Sequence, residues 1–251
     1  MPLAEIQREQ ITQASIVANH VTRRFGKKTI LKDISLEVLT SEIFGLLGPS
    51  GSGKTTLVKL LAGIDEASSG SVHMDGITLP RRDALANIGY MAQSDALYEE
   101  LTAQENLDFF ASLFGLSGKA KRRRMEEVMA LVDLQGSLKK LVSSFSGGMK
   151  RRLSLAIALL HQPKILILDE PTVGIDPVLR VSIWNELRTM SADGTTIIIT
   201  THVMDEADKC DRLAMIRNGS LIALGSPDEL KQETNASTIE EAFLTYGGAR
   251  A

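Results

Sequence analysis

The chain has 251 residues, of which 43% are hydrophobic and 24% are charged, and its net charge at pH 7 is −3. This length is sufficient to bury a hydrophobic core, and the composition is typical of a globular protein rather than a disordered one. The small negative charge excludes a global basic field that would draw the chain to nucleic acid or acidic lipid. Because Cys210 is the only cysteine, a disulfide within the chain is excluded, which fits a reducing compartment.

The first residues contain no apolar stretch of the length that a secretory signal requires. Elsewhere, no apolar run approaches the roughly 18–20 residues that a helix needs to cross a bilayer. The sequence therefore predicts a chain that does not cross a membrane by itself and that would have to dock in order to work there.

Strand patterns dominate the first part of the chain. Residues 16–21 predict a short strand, and the alternating Ile, Leu and Val of 34–38 predict one buried face of another. The continuous apolar run 43–47 is typical of a strand buried on both faces. A helix is expected over 54–63, and the Asp-Gly dipeptide within 72–77 predicts a hairpin turn.

Helical periodicity replaces the strand patterns between residues 97 and 160, beginning with the capping-box pair Thr102 and Glu105. Strand-like runs then return at 165–168, 196–200 and 213–216, with a helix between the first two. Strands that alternate with helices indicate a parallel α/β core. We therefore interpret residues 97–160 as a helical insertion into that core and predict a helical tail over 226–251.

Residues 48–55 match the pattern G-x-x-x-x-G-K-[ST] in full. The loop consists of Gly48, Pro49, Ser50, Gly51, Ser52, Gly53, Lys54 and Thr55, and Thr56 follows it. Glycines allow the backbone N–H groups to approach phosphates closely, and the following helix adds its positive dipole end. Lys54 would neutralise the β and γ phosphates, while the Thr55 hydroxyl would bind Mg²⁺. A chance glycine-rich turn is disfavoured because the loop follows a buried strand and opens a helix.

Two acids, Asp169 and Glu170, end the apolar run 165–168. Because ligands gather at the carboxyl ends of parallel strands, these acids are expected beside the phosphate loop. Asp169 would hold Mg²⁺ directly or through water, and Glu170 is the candidate base that polarises the attacking water. Alone, the motif could equally be a strand ending in solvated acids.

With these motifs, the chain resembles the ATP-binding cassette (ABC) ATPase family over nearly its whole length. A second glycine motif, Leu-Ser-Gly-Gly-Gln, distinguishes this family from other phosphate-loop ATPases. Its centre looks like Ser146, Gly147 and Gly148 of this chain. The two outer positions differ, being Phe145 and Met149. The resemblance implies that this helix start caps the γ-phosphate held by an opposite subunit, in a head-to-tail pair enclosing two ATP molecules. A plain helix cap is the alternative.

Four further positions fit the resemblance, namely Gln93, His202, Asp176 and Phe25. Gln93 looks like the glutamine that contacts Mg²⁺ and the water, and His202 looks like the histidine that contacts the γ-phosphate. Asp176 lies in a segment similar to the loop that crosses the dimer interface. Phe25 is placed like the aromatic that stacks on adenine. The alternatives are an exposed loop histidine for His202 and an ordinary core phenylalanine for Phe25.

The resemblance implies an α/β fold with a P-loop NTPase (RecA-like) core, an antiparallel β subdomain and an inserted α-helical subdomain. It implies a single ATP-binding domain over 1–251 that uses ATP and Mg²⁺. The expected partners are a second ABC ATPase subunit, identical or different, and a separate transmembrane permease subunit. We thus expect a peripheral location on the cytoplasmic face of the membrane and no binding of nucleic acid.

Three segments resemble the drug, ion and polysaccharide exporter branch of the family: 145–152 (FSGGMKRR), 170–177 (EPTVGIDP) and 238–244 (TIEEAFL). An ATPase that drives export is therefore the leading hypothesis. The alternatives are the ATPase of an importer, a soluble ABC ATPase that acts on ribosomes or DNA, and a nucleotide-dependent regulator without sustained turnover.

A basic run lies within the helical insertion and consists of Lys119, Lys121, Arg122, Arg123 and Arg124. Such a run is usually a solvated helix start. Contact with anionic lipid or with an acidic partner is the alternative.

Overall fold

The computed structural model describes residues 14–248. The outermost residues of the predicted domain, 1–13 and 249–251, lie outside this range, and so does the end of the predicted tail.

The strands are β1 (Ala14–Phe25), β2 (Lys28–Leu39), β3 (Ile43–Leu47), β4 (Ser69–Met74), β5 (Ile77–Leu79), β6 (Ile88–Met91), β7 (Ile165–Asp169), β8 (Thr196–Thr201), β9 (Arg212–Arg217) and β10 (Ser220–Gly225). The helices are α1 (Lys54–Leu61), α2 (Arg82–Leu85), α3 (Ala103–Leu113), α4 (Gly118–Leu131), α5 (Gly147–Leu159), α6 (Pro177–Ala192), α7 (Met204–Ala207), α8 (Pro227–Thr234) and α9 (Ile239–Tyr246). Short 3₁₀ turns lie at Gln135–Ser137 and Val142–Ser144.

The strands form two sheets. A four-stranded antiparallel sheet has the order β2-β1-β4-β5, and a six-stranded sheet has the order β10-β9-β3-β8-β7-β6. In the larger sheet β9, β3, β8, β7 and β6 run parallel, while β10 pairs with β9 in the antiparallel sense. The parallel α/β core with a separate antiparallel part, expected from the sequence, is confirmed.

Strand β3 lies at the centre of the larger sheet, and all five of its residues are buried. Phe44 and Leu46 face a cluster shared with α1 and the antiparallel sheet, whereas Ile43 and Leu47 face a cluster shared with the helical segments. The side chains of a strand alternate between its two faces, so this strand is covered on both sides. The predicted doubly buried strand is confirmed, and it leads directly into the loop 48–55.

Strand β1 is longer than the predicted 16–21. Register shifts interrupt its pairing with β2, for example between Ala18 and Val21. Such irregularities break the period-2 alternation from which strand limits are estimated, because each one shifts the following side chains relative to the face of the sheet.

Helices α3, α4 and α5 pack together within the stretch that showed helical periodicity. The Thr102 hydroxyl accepts a hydrogen bond from the Glu105 amide, and the Glu105 carboxylate accepts one from the Thr102 amide, so the predicted capping box is present. Near the end of the described chain, Ser226 and Glu229 form a second capping box at the start of α8.

The basic run 119–124 lies at the start of α4, and part of it contributes to the packing of this segment. Arg124 donates to the carbonyl oxygens of Leu159 and Leu160 at the end of α5, over 2.7 and 3.2 Å. Lys121 forms an ion pair of 2.5 Å with Asp108 on α3. Arg124 therefore provides the C-terminal carbonyls of α5 with donors that the helix itself lacks.

Within residues 14–248, no helix has both the length and the apolar character needed to cross a bilayer.

Candidate functional site

The loop 48–55 connects β3 to α1 in a conformation that requires glycine at two positions. A Cβ on Gly48 would lie 2.3 Å from the Ile216 carbonyl oxygen. Gly53 has a φ of +110°, which side-chain-bearing residues rarely adopt, and a Cβ there would lie 2.8 Å from Leu31 Cδ2. The glycines therefore bring the backbone close to neighbouring segments and keep side chains out of the loop.

Lys54 is only 5% exposed, and its ammonium lies inside the loop, where it donates to the carbonyls of Gly48 (2.7 Å) and Pro49 (3.1 Å). Burial lowers the pKa of Lys54, while the charges of Glu170 and Asp169 oppose that shift. A buried ammonium has lost much of its hydration, so an anion placed in the loop would compensate it strongly.

An open cleft of about 360 Å³ lies against the loop. Its lining consists of Lys28, Ile30, Ser50, Gly51, Gly53, Lys54, Thr55, Thr56, Gln93 and Glu170. The structure thus brings the predicted Gln93 and Glu170 to the phosphate loop, although about 40 and 115 residues of chain separate them from Lys54. Lys28 and Ile30 are additional lining residues that carried no motif in the sequence.

Asp169 ends β7 and is 1% exposed. Its Oδ1 accepts a hydrogen bond of 2.5 Å from the Thr200 hydroxyl, whereas its Oδ2 is buried without a hydrogen-bond partner. A buried carboxylate oxygen without a donor is unfavourable unless a cation or a water compensates it. The carboxylate is thus suited to a hard cation such as Mg²⁺.

Glu170 follows Asp169 with a φ of +53°, a left-handed conformation that is uncommon for a glutamate. Its amide donates to both the carbonyl oxygen and the hydroxyl of Thr200, over 3.2 and 2.9 Å. Its Oε1 lies 2.9 Å from Nδ1 of His202, and the glutamate side chain is 14% exposed against 46% for the histidine. A carboxylate in this position can accept a proton from a water in the cleft.

Residues 146–148 lie at the start of α5 and, among the residues that the structure describes, are not part of the cleft lining. The Ser146 hydroxyl accepts a hydrogen bond from the Met149 amide over 3.2 Å. The amides of Gly147 and Gly148 precede the first intrahelical bond, from Lys150 N to Ser146 O, so they have no partner within the helix. Residues 146–148 therefore form a second turn, after the loop 48–55, whose amides are open to an anion from outside the chain.

Asp176 caps α6 by accepting a hydrogen bond of 3.0 Å from the Leu179 amide. The segment before it packs against the start of α5, because a Cβ on Gly148 would lie 2.9 Å from the Gly174 carbonyl oxygen. The structure therefore brings Asp176 close to the second turn and not into the lining of the cleft.

Phe25 is 52% exposed at the end of β1, which excludes the alternative of an ordinary core phenylalanine. The Arg23 guanidinium lies 4.4 Å from the centre of its ring, leaving the ring partly open to solvent. Phe25 does not line the cleft itself, but its partner in the strand pairing, Lys28, does.

Thr200 and Arg151 also contribute to the site, although neither was among the residues predicted from the sequence. Thr200 holds both acids, and Arg151 donates to the backbone carbonyl oxygens of Asp169 and Glu170. The helical period does not single out Arg151: Leu155 and Leu159, four and eight residues after it, are buried, but so are Ala156 and Leu160, four and eight residues after Arg152.

Comparison with known proteins agrees with this geometry. The family model described as ABC transporter matches residues 31–173. Over 236 residues, the chain is 39% identical to the probable multidrug ABC transporter ATP-binding protein YbhF of Escherichia coli (strain K12), covering 91% of this chain and 41% of that protein. It is 40% identical over 234 residues to the linearmycin resistance ATP-binding protein LnrL of Bacillus subtilis (strain 168), covering 92% of this chain and 75% of that protein.

The Nod factor export ATP-binding protein I of Paraburkholderia xenovorans (strain LB400) is 42% identical over 234 residues, with coverage of 92% and 77%. Among solved structures, the ATP-binding subunit of an ABC transporter superposes with a TM-score of 0.86 at 26% identity, covering 92% of this chain and 99% of that chain. The dimeric bacterial ABC transporter cassette MJ0796 superposes with a TM-score of 0.78 at 26% identity, covering 84% and 98%.

These matches confirm both the resemblance and the fold class. The chain spans less than half the length of YbhF and about three-quarters of LnrL. The chain belongs to the ABC transporter family, has the fold of the ABC cassette structures on which it superposes, and is similar in sequence to ATP-binding proteins named for multidrug transport, linearmycin resistance and Nod factor export.

Proposed function

We propose that this chain is an ATP-hydrolysing subunit that drives an exporter, using a separate membrane subunit as the path for the substrate. The observation that carries the proposal is the cleft in which Lys54 and Thr55 meet Gln93 and Glu170. A site with an anion-binding loop, a cation ligand and a carboxylate base contains the groups that phosphoryl transfer to water requires.

Mg²⁺ would be held by the Thr55 hydroxyl, by Asp169 through its unpartnered Oδ2, and by Gln93. Held by these residues, the ion would supply positive charge that offsets the charge developing on the phosphate groups. The loop 48–55 binds the phosphates of ATP through its backbone amides, and Lys54 leaves its carbonyl partners to pair with the β and γ phosphates.

Glu170 then acts on the attacking water. One of its oxygens is held by His202, which leaves the other for the water in the cleft. His202 is not itself a lining residue of the cleft, but its contact with Glu170, which is one, supports the role of contacting the γ-phosphate. Phe25 supplies a ring for adenine at the end of β1.

The complete site requires two subunits. Residues 146–148 present open amides away from the cleft of their own chain, and Asp176 lies beside them. In a head-to-tail pair, this turn covers the γ-phosphate bound by the opposite subunit. The dimeric cassette MJ0796, and a second structure of it described as a post-hydrolysis state bound to ADP and Pi, support a pair of this kind.

The exporter assignment rests on the names of the relatives, which refer to multidrug transport, linearmycin resistance and Nod factor export. We infer a peripheral position on the cytoplasmic face of the membrane, with residues 1–251 as a single ATP-binding domain and 97–160 as the inserted segment that receives the membrane subunit. An importer ATPase remains the second candidate, because both classes use the same hydrolytic site.

Affinity purification of the tagged chain from detergent-solubilised membranes tests this proposal. We expect an integral membrane protein to co-purify and the ATPase activity to persist in the complex. Recovery with ribosomes or with nucleic acid in place of a membrane protein would overturn the transport assignment. Glu170→Gln serves as the control, since it should retain the membrane subunit while losing turnover.

A further inference from the structure

Two adjacent arginines of α5 point in different directions. Arg152 donates to the carbonyls of Val132 and Asp133 at the end of α4, over 3.1 Å each. The side chain of Arg151 is 9% exposed and lies between α5, the segment after β6 and the end of β7. Of the two, only Arg151 contacts the segments that carry Gln93 and Glu170.

The Arg151 guanidinium uses every one of its N–H groups on backbone carbonyls. Nη1 donates to Ala92 (2.7 Å) and Gln93 (3.0 Å). Nη2 donates to Asp169 and Glu170, the latter over 2.8 Å, and Nε donates to Glu170 over 3.2 Å. A guanidinium has five N–H donors in a fixed fork, and five are used here.

No other side chain can make this arrangement. A lysine offers three donors from one atom, which cannot span two separate segments in a planar fork. Burial lowers the pKa of Arg151, and the charges of Asp95 and Asp169 oppose the shift. A buried cation is costly to desolvate, and this cost is offset by the five hydrogen bonds together with an ion pair of 3.6 Å with Asp95.

The contact matters most at Glu170, whose left-handed φ of +53° is uncommon for a residue with a side chain. Such a conformation persists only where the surroundings determine it. Thr200 holds the amide of Glu170, and Arg151 holds its carbonyl. The two together fix the peptide planes on both sides of the candidate base.

The same helix begins with the open amides of Gly147 and Gly148, one turn before Arg151. We propose that Arg151 is a positioning residue that joins the Gln93 segment and the backbone of Glu170 to this second anion-binding turn. Binding of a partner's nucleotide at the turn then sets the position of the water-activating groups in the chain's own cleft. This inference rests on the roles of Glu170 and of residues 146–148 proposed above.

The test compares Arg151→Gln and Arg151→Lys with Arg152→Gln as a matched control. Steady-state phosphate release should show kcat lowered on the order of 10- to 100-fold in both Arg151 variants, with KM changed less than about threefold. Binding of a fluorescent ATP analogue should be nearly unchanged. Arg152→Gln removes the adjacent arginine, which contacts the end of α4 instead, so it should lower thermal stability while kcat stays within about twofold.

Amide hydrogen exchange gives a readout independent of turnover. Arg151→Gln should increase exchange at residues 92–95 and 169–171, and Arg152→Gln should increase it at 132–134 instead. Should Arg151→Gln fail to fold, Arg151→Lys preserves the charge and carries the same expectations.

Normal kcat in Arg151→Lys, or equal loss in Arg152→Gln, would overturn the inference. Glu170→Gln separates this result from the function proposed above. If that variant is inactive while the Arg151 variants are normal, only the positioning role is wrong. If Glu170→Gln turns over normally, the base assignment fails as well, and the positioning role with it.

Discussion

The Nδ1 atom of His202 lies 2.9 Å from Oε1 of Glu170. The two side chains come from the ends of adjacent parallel strands, β8 and β7, and Thr200 fixes the backbone between them. One oxygen of the carboxylate is thereby engaged by the histidine. Glu170 also lines the cleft, and among the described residues its other carboxylate oxygen makes no hydrogen bond, so that oxygen is available to a water.

Glu170→Gln should retain ATP binding but lose hydrolysis, because an amide cannot accept the proton of the attacking water. We expect kcat to fall on the order of 10²- to 10⁴-fold, measured as phosphate release over many turnovers. Glu240→Gln, at an exposed position on α9, is the matched control and should behave as the unmodified chain. Undiminished turnover in Glu170→Gln would rule out the base assignment.

Lys54→Met should abolish the stabilisation that ATP gives to the fold. A ligand at 100 times its Kd stabilises by about 2.7 kcal/mol, and this increment requires binding. Without nucleotide, the variant should lose little stability, because it also removes a buried ammonium whose pKa is lowered by burial. Thermal unfolding with and without ATP measures both effects. Lys59→Met, on the exposed side of the same helix, should keep the full ATP-dependent shift.

Ser146→Arg should block ATP-driven pairing while leaving ATP binding to the single chain within about threefold of normal, since the cleft does not include this residue. Light scattering in the Glu170→Gln background, where hydrolysis does not dissolve the pair, measures the effect. Ser117→Arg is the control, because Ser117 is also an exposed helix N-cap in the same helical segment. Dimers of normal strength in Ser146→Arg would contradict the two-subunit site.

His161 makes stability depend on pH. Its ring stacks on Phe114 with centroids 3.8 Å apart, and burial lowers its pKa. The unfolded chain therefore binds a proton at a higher pH than the folded chain does. The resulting stability is complete above about pH 6.5 and is lost as the pH falls from there towards the folded pKa.

Urea unfolding between pH 7.5 and 5.5 measures this dependence. We expect a contribution of up to about 1.4 kcal/mol per pH unit from this residue, and a flatter profile in His161→Gln. Removal of the exposed His20 should leave the dependence in place. An unchanged slope in His161→Gln would show that another group is responsible.

The motifs predicted the phosphate loop, its strand and its helix, because each depends on local constraints: a Cβ-free approach at Gly48, a buried apolar run, and a helix start at Lys54. The parallel pairing of β7 and β8 also followed from alternation of strands and helices. Each of these features depends on residues that lie close together in the chain, so the sequence alone could predict it.

Arg151 and Thr200 could not be assigned from motifs in the same way. Within Lys150, Arg151 and Arg152, residue type alone does not tell which side chain turns inwards, since all three are long and basic. Which one meets the end of β7 depends on how α5 is rotated against β6, a property of tertiary packing. That packing is close, because a Cβ on Gly89 would lie 2.3 Å from the carbonyl oxygen of Ala158.

Helix α5 is held at both of its ends: Arg151 fixes its first turns to the larger sheet, and Arg124 fixes the carbonyls of Leu159 and Leu160 to α4. Its 13 residues span about 20 Å as a rod without proline or an internal glycine to bend it. A helix of this length and stiffness would transmit a displacement of residues 146–148 to its opposite end, where Arg124 joins it to α4.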